Sequence, residues 1–292
     1  MGRIEIGVIA FLCWGMIFAS PADLAAQPVP AGFESVDIPV TGERAATIKA
    51  YLRKPASNQA VPAVVALHGC GGLFRRDGRL AARDADWAER LAELGYAVMF
   101  PDSFNPRGFR EICTSTGDVR PIRPRHRVAD AIAATSWLAR QPFIDGNRIA
   151  LIGWSNGGTT VLMAADKPQL AKSAVGLRAA IAFYPGCRLP AERADYSVGL
   201  PLTILIGSDD DWTPPEPCRE LAKRPGIKLI EYPGAAHGFD APNSPRRTRR
   251  GVGLSARGDG EVQIGTDPAA RASAIETVLG ILTDAFAKAP PR

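Results

Sequence analysis

The chain lacks the short motifs that mark several large enzyme classes. It contains no G-x-x-x-x-G-K-[ST] phosphate-binding loop, no G-x-G-x-x-G dinucleotide fingerprint, no H-E-x-x-H zinc pair and no C-x-x-C pair. These absences give no support to nucleotide, dinucleotide-cofactor or zinc chemistry, so we expect neither a cofactor nor a metal. Histidine is scarce too, with three residues among 292. A mechanism that needs an imidazole base has only these three to draw on.

An apolar run long enough to span a membrane is also missing near the N-terminus. Ile6–Ala19 has 14 residues without a charge, whereas a spanning helix needs about 20. Arg3 precedes this run and small residues follow it, which is typical of a secretory signal. We therefore predict that Met1–Ala26 is a removed signal peptide, that the protein is exported, periplasmic or secreted, and that it keeps no stable membrane association. An uncleaved anchor is the alternative, because Glu5 offsets the charge of Arg3.

No internal repeat is present, and the composition is that of a globular protein. Hydrophobic residues make up 46% of the chain and charged residues 22%. Glycine (29 residues) and proline (25 residues) are plentiful, and without a repeat period they belong in turns between many short elements. We predict one globular domain over residues 27–292 rather than a fibrous, disordered or membrane-bundle protein.

Positive charge is concentrated in one segment. The net charge is +5, and residues 245–260 hold five arginines against one aspartate. Because this segment is rich in glycine and has no apolar period, we predict that residues 246–267 form a flexible, solvated loop inserted in the domain, which is either poorly ordered or a functional flap. Nucleic acid is not an expected partner. A polyanion-binding role for the arginines is the alternative.

Export changes the expected state of the cysteines. Removal of Cys13 with the signal leaves Cys70, Cys113, Cys187 and Cys218, an even number in an oxidising compartment, which predicts two disulfides. Four cysteines allow three pairings. We favour Cys70–Cys113 and Cys187–Cys218, because each closes a loop of about 30 to 45 residues that the chain-entropy model values at about 3–4 kcal/mol. Buried free thiols are the alternative.

The remaining pattern alternates strands with helices. Apolar or alternating runs predict strands at 33–40, 46–53, 61–67, 96–100, 149–153, 177–183, 202–206 and 228–232. Helical periodicity predicts helices at 84–94, 124–140, 156–165, 216–223 and 268–287. Such alternation predicts an α/β protein with a mostly parallel sheet of about eight strands, helices on both faces, and a ligand site at the carboxyl ends of the strands.

A nucleophile motif stands in the middle of this pattern. Gly153-Trp154-Ser155-Asn156-Gly157 follows an apolar strand and opens a helix. A G-x-S-x-G turn between strand and helix needs small residues on both sides of a serine whose hydroxyl it exposes. We therefore predict Ser155 as a nucleophile, with an ordinary glycine-rich turn as the alternative. The backbone N–H of Asn156 would then stabilise the oxyanion.

A serine nucleophile needs a base that an acid holds in place. His237 lies in a loop just after the last predicted strand, where its imidazole can reach over the strand ends to Ser155. His68 precedes a glycine-rich loop and is expected to order that loop. His126, among arginines at a helix start, is expected to be a solvated surface residue.

The acid belongs to a run of three. Asp209, Asp210 and Asp211 follow the predicted strand 202–206, and the residues alone leave the choice among them open. The chain order serine, aspartate, histidine is that of α/β-hydrolases. A second oxyanion donor is expected from the loop His68-Gly69-Cys70-Gly71-Gly72, and we favour the N–H of Cys70; a purely structural glycine turn is the alternative.

Four ordered motifs resemble the dienelactone hydrolase family of α/β-hydrolases. They are Leu67-His68-Gly69-Cys70-Gly71-Gly72, Arg148 to Gly158 around Ser155, Leu205-Ile206-Gly207-Ser208-Asp209-Asp210-Asp211-Trp212-Thr213-Pro214, and Tyr232-Pro233-Gly234-Ala235-Ala236-His237-Gly238-Phe239. The resemblance implies an α/β-hydrolase fold, with Asp210 as the acid and His237 as the base. One departure matters: the enzymes that name the family use a cysteine nucleophile, whereas this chain has Ser155.

These features predict a serine enzyme that hydrolyses small-molecule carboxylic esters through an acyl-enzyme. Acyl transfer to an alcohol or peptide hydrolysis could use the same three residues. A non-catalytic exported binding protein on the same scaffold is the alternative from a different class.

Overall fold

The computed structural model describes residues 28–117, 119–171 and 175–287. Residues 1–26, predicted as a signal peptide, lie outside this part of the chain. The main sheet consists of β1 (Glu34–Val40), β2 (Ala46–Arg53), β3 (Val61–Leu67), β4 (Ala97–Pro101), β5 (Ile144–Trp154), β6 (Leu177–Phe183), β7 (Leu202–Gly207) and β8 (Ile227–Tyr232). The helices are α1 (Ala82–Glu93), α2 (Pro124–Ala139), α3 (Asn156–Ala165), α4 (Lys167–Leu170), α5 (Arg188–Glu192), α6 (Glu216–Leu221) and α7 (Pro268–Ala287).

The strand order in the sheet is β1-β2-β4-β3-β5-β6-β7-β8. The pairs β1–β2 and β2–β4 are antiparallel, and the neighbours from β4 through to β8 are parallel. The predicted α/β-hydrolase fold, with a mostly parallel eight-stranded sheet among helices, is confirmed. Because parallel strands share one direction, the loops after β3, β5, β7 and β8 all emerge at the same edge of the sheet.

The inner strands are continuous apolar runs because helices cover the sheet. Every residue of β4 is buried, and so is every residue of β3 after Val61. Helix α1 ends at Glu93, one residue before the predicted end, and Gly95 closes it with φ +80° and an N–H that donates to Ala92 O. Burial on both faces therefore explains why these elements could be found from hydrophobicity alone.

Strand β5 starts five residues earlier than predicted. Asn147 carries a turn signal and its N–H donates to the Asp145 side chain at 3.0 Å. The strand nevertheless continues through it, because the pairing register shifts between Val61 and Ala63 on β3, and between Ile149 and Ala150 where β5 meets β6. An irregular pairing absorbs a sequence that otherwise indicates a turn.

The segment predicted as a loop at 246–267 contains two further strands. β9 (Arg247–Arg250) pairs antiparallel with β10 (Glu261–Ile264), and we call the segment from β9 to β10 the hairpin. Arg250 stands opposite Glu261 and binds it at 2.7 Å, while Val262 is buried. The prediction of a segment without secondary structure is therefore wrong. The two strands are stabilised by cross-strand pairs, and the run of arginines in β9 lacks the alternation of polar and apolar residues that would have indicated a strand.

Both favoured disulfide pairs are present. Cys70 is joined to Cys113 and Cys187 to Cys218. The second pair lies in the main core, whereas the first belongs to a small separate apolar cluster with Phe104, Ile112 and Ile122. Among the described residues, no helix has the length and apolar character needed to cross a membrane.

Candidate active site

Ser155 occupies a strained turn between β5 and α3. Its φ of 52° and ψ of −115° are unusual for a residue with a side chain. The bend brings backbone so close that a Cβ at Gly153 would lie 2.5 Å from Gly157 O, and one at Gly157 would lie 2.0 Å from Leu67 O. The Ser155 N–H donates to Phe183 O at 2.9 Å, which ties the turn to β6. The two glycines of the motif are thus a steric requirement of this turn.

The structure brings Asp210 and His237 into direct contact. Nδ1 of His237 lies 2.8 Å from Oδ2 of Asp210, and both side chains are buried. An ionised carboxylate can only accept, so Nδ1–H donates and Nε2 is left as the acceptor. The other Asp210 oxygen accepts the N–H of Trp212 at 3.0 Å and of Thr213 at 2.8 Å. These bonds hold the carboxylate in one orientation.

The neighbouring acids have a different task, because Asp211 binds the hairpin and Asp209 binds Arg246, the residue that precedes it. Asp211 Oδ1 accepts the N–H of Gln263 at 2.7 Å, and its Oδ2 lies 3.1 Å from Arg257. Asp209, which is half exposed, lies 3.3 Å from Arg246. Of the three consecutive acids, the middle one faces His237 and the outer two fasten the segment that begins at Arg246.

Ser155 and His237 line one cleft of about 570 Å³. The hydrogen bonds between described residues do not include one from Ser155 Oγ to His237. Such bonds are often long in ligand-free sites and form when substrate binds. The arrangement brings the predicted nucleophile and the predicted base to the same cleft, and the predicted acid already contacts that base.

The glycine-rich loop after β3 forms the wall beside Ser155. Gly69, Cys70, Gly71 and Gly72 all line the cleft, and a Cβ on Gly69 would lie 3.7 Å from that of Ser155. Within the described chain, the N–H groups of Cys70 and Asn156 donate to no protein acceptor. Both predicted oxyanion donors are therefore unengaged.

A buried arginine lies behind this wall. Arg127 Nη1 donates to Oδ1 of Asn156 at 2.7 Å, and Arg127 Nε donates to Ser103 Oγ at 3.1 Å. Complete burial lowers the pKa of Arg127 to about 10, which leaves it cationic at neutral pH. The residue after Ser155 is thereby held from its side chain, which no sequence motif had indicated.

The other two histidines are structural. His68 is fully buried, its Nδ1–H donates to Gly69 O at 2.9 Å and its Nε2 accepts the Ser103 N–H at 3.3 Å. Burial, reinforced by the charge of Arg127, holds the pKa of His68 well below its usual value. His68 thus orders the loop as expected.

The expectation for His126 is wrong. It is 7% exposed, its Nδ1 accepts the Arg123 N–H at 3.1 Å, and its Nε2 lies 3.2 Å from Glu43. Burial lowers the pKa of His126. The signal was its position three residues after the residue that precedes α2, where a side chain can cap a helix.

Arginines form the rim of the cleft. Arg249 lies 5.1 Å over the ring of Trp212, whose ring is 4.8 Å from that of His237. Partial burial lowers the pKa of Arg249. Within the described ranges, no carboxylate forms a salt bridge with Arg249, and the same holds for two other rim residues, Arg110 and Arg247. In the same part of the chain, no group of three or more histidine, cysteine or acidic residues could hold a metal.

The fold is that of the α/β-hydrolases. Two observations define this class: the strand order of the sheet, and the loops at one sheet edge that carry Ser155, Asp210 and His237. The model of the dienelactone hydrolase family matches residues 48–286, and the chain belongs to that family.

Individual similarities are more distant. The chain is 24% identical over 224 residues to a Bradyrhizobium protein that bears the name 'Probable 2-oxo-3-(5-oxofuran-2-ylidene)propanoate lactonase', covering 70% of this chain and 82% of that protein. It is 32% identical over 139 residues to the quorum-quenching protein AidA of Acinetobacter baumannii, covering 47% of this chain and 39% of AidA. Thermogutta terrifontis esterase 2, in a structure phosphoramylated by tabun, superposes with a TM-score of 0.62 at 20% identity over 92% of this chain and all of that one (100%). The last similarity shows the fold alone.

Proposed function

We propose that the protein is a carboxylic ester hydrolase that works through an acyl-enzyme on Ser155. The observation that carries this proposal is the 2.8 Å contact of Asp210 with His237 in the cleft that the strained Ser155 also lines. His237 Nε2 takes the proton from Ser155 Oγ as it attacks the ester carbonyl, while Asp210 keeps Nδ1 protonated. The N–H groups of Asn156 and Cys70 stabilise the oxyanion, and His237 then protonates the leaving alcohol. Water hydrolyses the acyl-enzyme by the same steps in reverse.

The substrate class follows from the rim. Guanidinium groups of Arg110, Arg247 and Arg249 border the cleft without salt-bridge partners among the described residues, and several cations around one cleft favour an anionic ligand. The lactonase relative is named for a propanoate, which carries a carboxylate beside its cyclic ester. We propose small esters or lactones that bear a negative charge.

Export is part of the same proposal. Two disulfides join the four cysteines outside residues 1–26, and disulfides persist in oxidising compartments. We propose that residues 1–26 direct the protein out of the cytoplasm and are removed. N-terminal sequencing of protein secreted by its host would begin near residue 27 if this is right.

The central test is labelling of the nucleophile. Esterase 2 structures exist in tabun- and paraoxon-modified forms, so an organophosphate is a suitable probe for this fold. Paraoxon should add one phosphoryl group at Ser155 of the wild type, and Ser155→Ala should lose both labelling and at least about 10⁵-fold in the hydrolysis rate of aryl esters. Ser57→Ala, at an exposed serine outside the cleft, is the control. Labelling at another residue, or hydrolysis retained by Ser155→Ala, would refute the mechanism.

A further inference from the structure

A second carboxylate lies near the proposed triad and has no part in it. Asp240 follows His237 by three positions and is fully buried. Its Oδ2 accepts the indole N–H of both Trp87 and Trp154 at 2.8 Å, and its Oδ1 accepts the hydroxyl of Tyr184 at 2.6 Å. Burying an ionised carboxylate costs several kcal/mol unless hydrogen bonds replace its water. Three side-chain donors on one buried carboxylate therefore form a built site.

Two of these donors are neighbours of the proposed catalytic residues. Trp154 directly precedes Ser155 in the strained turn. Tyr184 directly follows β6 in a strained conformation with φ +34°, and its ring centroid lies 4.5 Å from that of His237. Burial and the neighbouring Asp240 raise the pKa of Tyr184 well above its usual value, so the hydroxyl stays protonated and donates.

The loop that carries Asp240 is itself fixed. Arg271 of α7 donates to the Asp240 carbonyl, and the Asp267 N–H donates to Phe239 O at 3.1 Å. The base loop is thus held from α7 on one side, while the Asp240 carboxylate ties it to the turn of Ser155 on the other. Nucleophile and base reach the cleft on separate loops, and this carboxylate is a direct side-chain link between them.

We propose that Asp240 is a positioning residue that sets the separation of Ser155 from His237 through Trp154 and Tyr184. Its side-chain hydrogen bonds among the described residues include none to Ser155 or His237. The proposal rests on the acyl-enzyme mechanism above. Misplacement of reacting groups by about 1 Å can cost about 10²-fold in rate, so a residue that controls this separation acts on kcat.

The two tryptophans provide a matched pair. Both are fully buried, and both donate to the same oxygen of Asp240 at the same distance of 2.8 Å. Trp154 directly precedes Ser155 in the chain, whereas Trp87 lies on α1, which carries none of the three proposed catalytic residues. If Asp240 only stabilises the fold, Trp87→Phe and Trp154→Phe should behave alike. If it positions the nucleophile, they should lower the melting temperature similarly while kcat falls about 10-fold or more for Trp154→Phe and less than about 2-fold for Trp87→Phe.

The carboxylate itself is tested with Asp240→Asn and Tyr184→Phe, on folded protein as judged by circular dichroism. Asp240→Asn should lower kcat about 10²-fold with KM within about 2-fold. Adding Trp154→Phe to it should lower kcat little further, because both changes break one linkage. Tyr184→Phe keeps the ring against His237 and serves as the readout if Asp240→Asn does not fold; its kcat should fall about 10-fold.

Paraoxon labelling separates this proposal from the mechanism on which it rests. A wild type that is not labelled at Ser155 overturns the proposed function. A labelled wild type, with equal kcat in the two tryptophan variants or with kcat unchanged in Tyr184→Phe, overturns the positioning role alone. Unequal kcat at equal melting temperature supports it.

Discussion

The two sides of the cleft are held in place by different physical means. The side built from strand ends, with the turn of Ser155 and the loops of Asp210 and His237, depends on close backbone contacts that only glycine allows. The hairpin side is fastened by ion pairs and hydrogen bonds to Asp209 and Asp211. Backbone contacts hold a geometry rigidly, whereas partly exposed ion pairs are weak and yielding. Under the proposed function, the first side would carry out the chemistry and the second would select the substrate.

The three consecutive aspartates provide the sharpest way to break this comparison. Asp210→Asn should lower kcat by about 10⁴-fold, because an amide cannot hold Nδ1–H of His237 in the required tautomer. Asp211→Asn keeps an acceptor for the Gln263 N–H and should lower kcat by less than about 10-fold. Asp209→Asn changes a half-exposed residue and should lower kcat by less than about 2-fold. Steady-state kinetics on the three variants measures this series. Equal losses at Asp210 and Asp211 would show that the two sides are not separate.

The disulfides offer the second largest contrast. They close loops of similar length, with separations of 43 and 31 residues, so removing either should cost about 4 kcal/mol of unfolding free energy in the chain-entropy model. Only Cys70–Cys113 lines the cleft. Replacing that pair by alanines should also lower kcat by about 10-fold to 10²-fold, because the loop with the Cys70 N–H loses its anchor.

The alanine pair at Cys187 and Cys218 is the control for that experiment, since these residues lie in the main core. It should lose comparable stability in urea unfolding and keep kcat within about 2-fold when assayed well below its melting temperature. If this control loses as much kcat as the Cys70–Cys113 variant does, the loop that carries the Cys70 N–H does not depend specifically on its own disulfide.

The sequence predicted the first side of the cleft well because its determinants are local. A turn that needs glycine on both sides of Ser155 leaves a pattern readable within six residues, and buried parallel strands leave continuous apolar runs. The position of His237 just after β8 followed from the same strand pattern. Family resemblance was needed only to choose among three adjacent acids.

The hairpin and the Asp240 cluster could not be read in the same way. Strand β9 is four residues long and three of them are arginines, so no hydrophobic alternation marks it. The partners of Asp240 are 153, 86 and 56 residues away in the chain. Contacts over such separations arise from the tertiary fold, and a single sequence carries no spacing that indicates them.

Selection by the hairpin is the next prediction. Arg247→Ala combined with Arg249→Ala should lower kcat/KM for an aryl hemisuccinate by about 10-fold, since a charge-assisted hydrogen bond contributes about 1.5–3 kcal/mol and is partly screened here. The rate on the neutral aryl butyrate should stay within about 2-fold. Arg250→Ala, which removes an arginine paired with Glu261 outside the cleft lining, is the control. Equal losses on both esters would argue against an anionic substrate.

Lowering the pH should destabilise the side of the cleft built from strand ends before it affects the hairpin side. Burial holds the pKa of His68 well below its usual value, whereas the unfolded histidine titrates near about 6.5. As the pH falls below that value, the unfolded chain binds a proton that the folded chain excludes, so stability falls with pH by up to about 1.4 kcal/mol per unit for this group. In the hairpin, the hydrogen bond from Arg257 lowers the pKa of Asp259 to about 2, so this ion pair persists through the same range.

Urea unfolding at pH 7.5 and pH 5 tests this difference with His68→Asn. Asparagine can still donate to Gly69 O but cannot take up a proton, so the variant should be less stable at pH 7.5 and should lose less on acidification than the wild type. His126 is present in both proteins and cancels from the comparison. An Asp259→Asn variant, changed on the hairpin, should retain the wild-type pH dependence between pH 7.5 and pH 5, because Asp259 of the wild type stays ionised throughout that interval. If His68→Asn and the wild type lose equal stability between the two pH values, His68 is not the group through which acid acts on the loop beside Ser155.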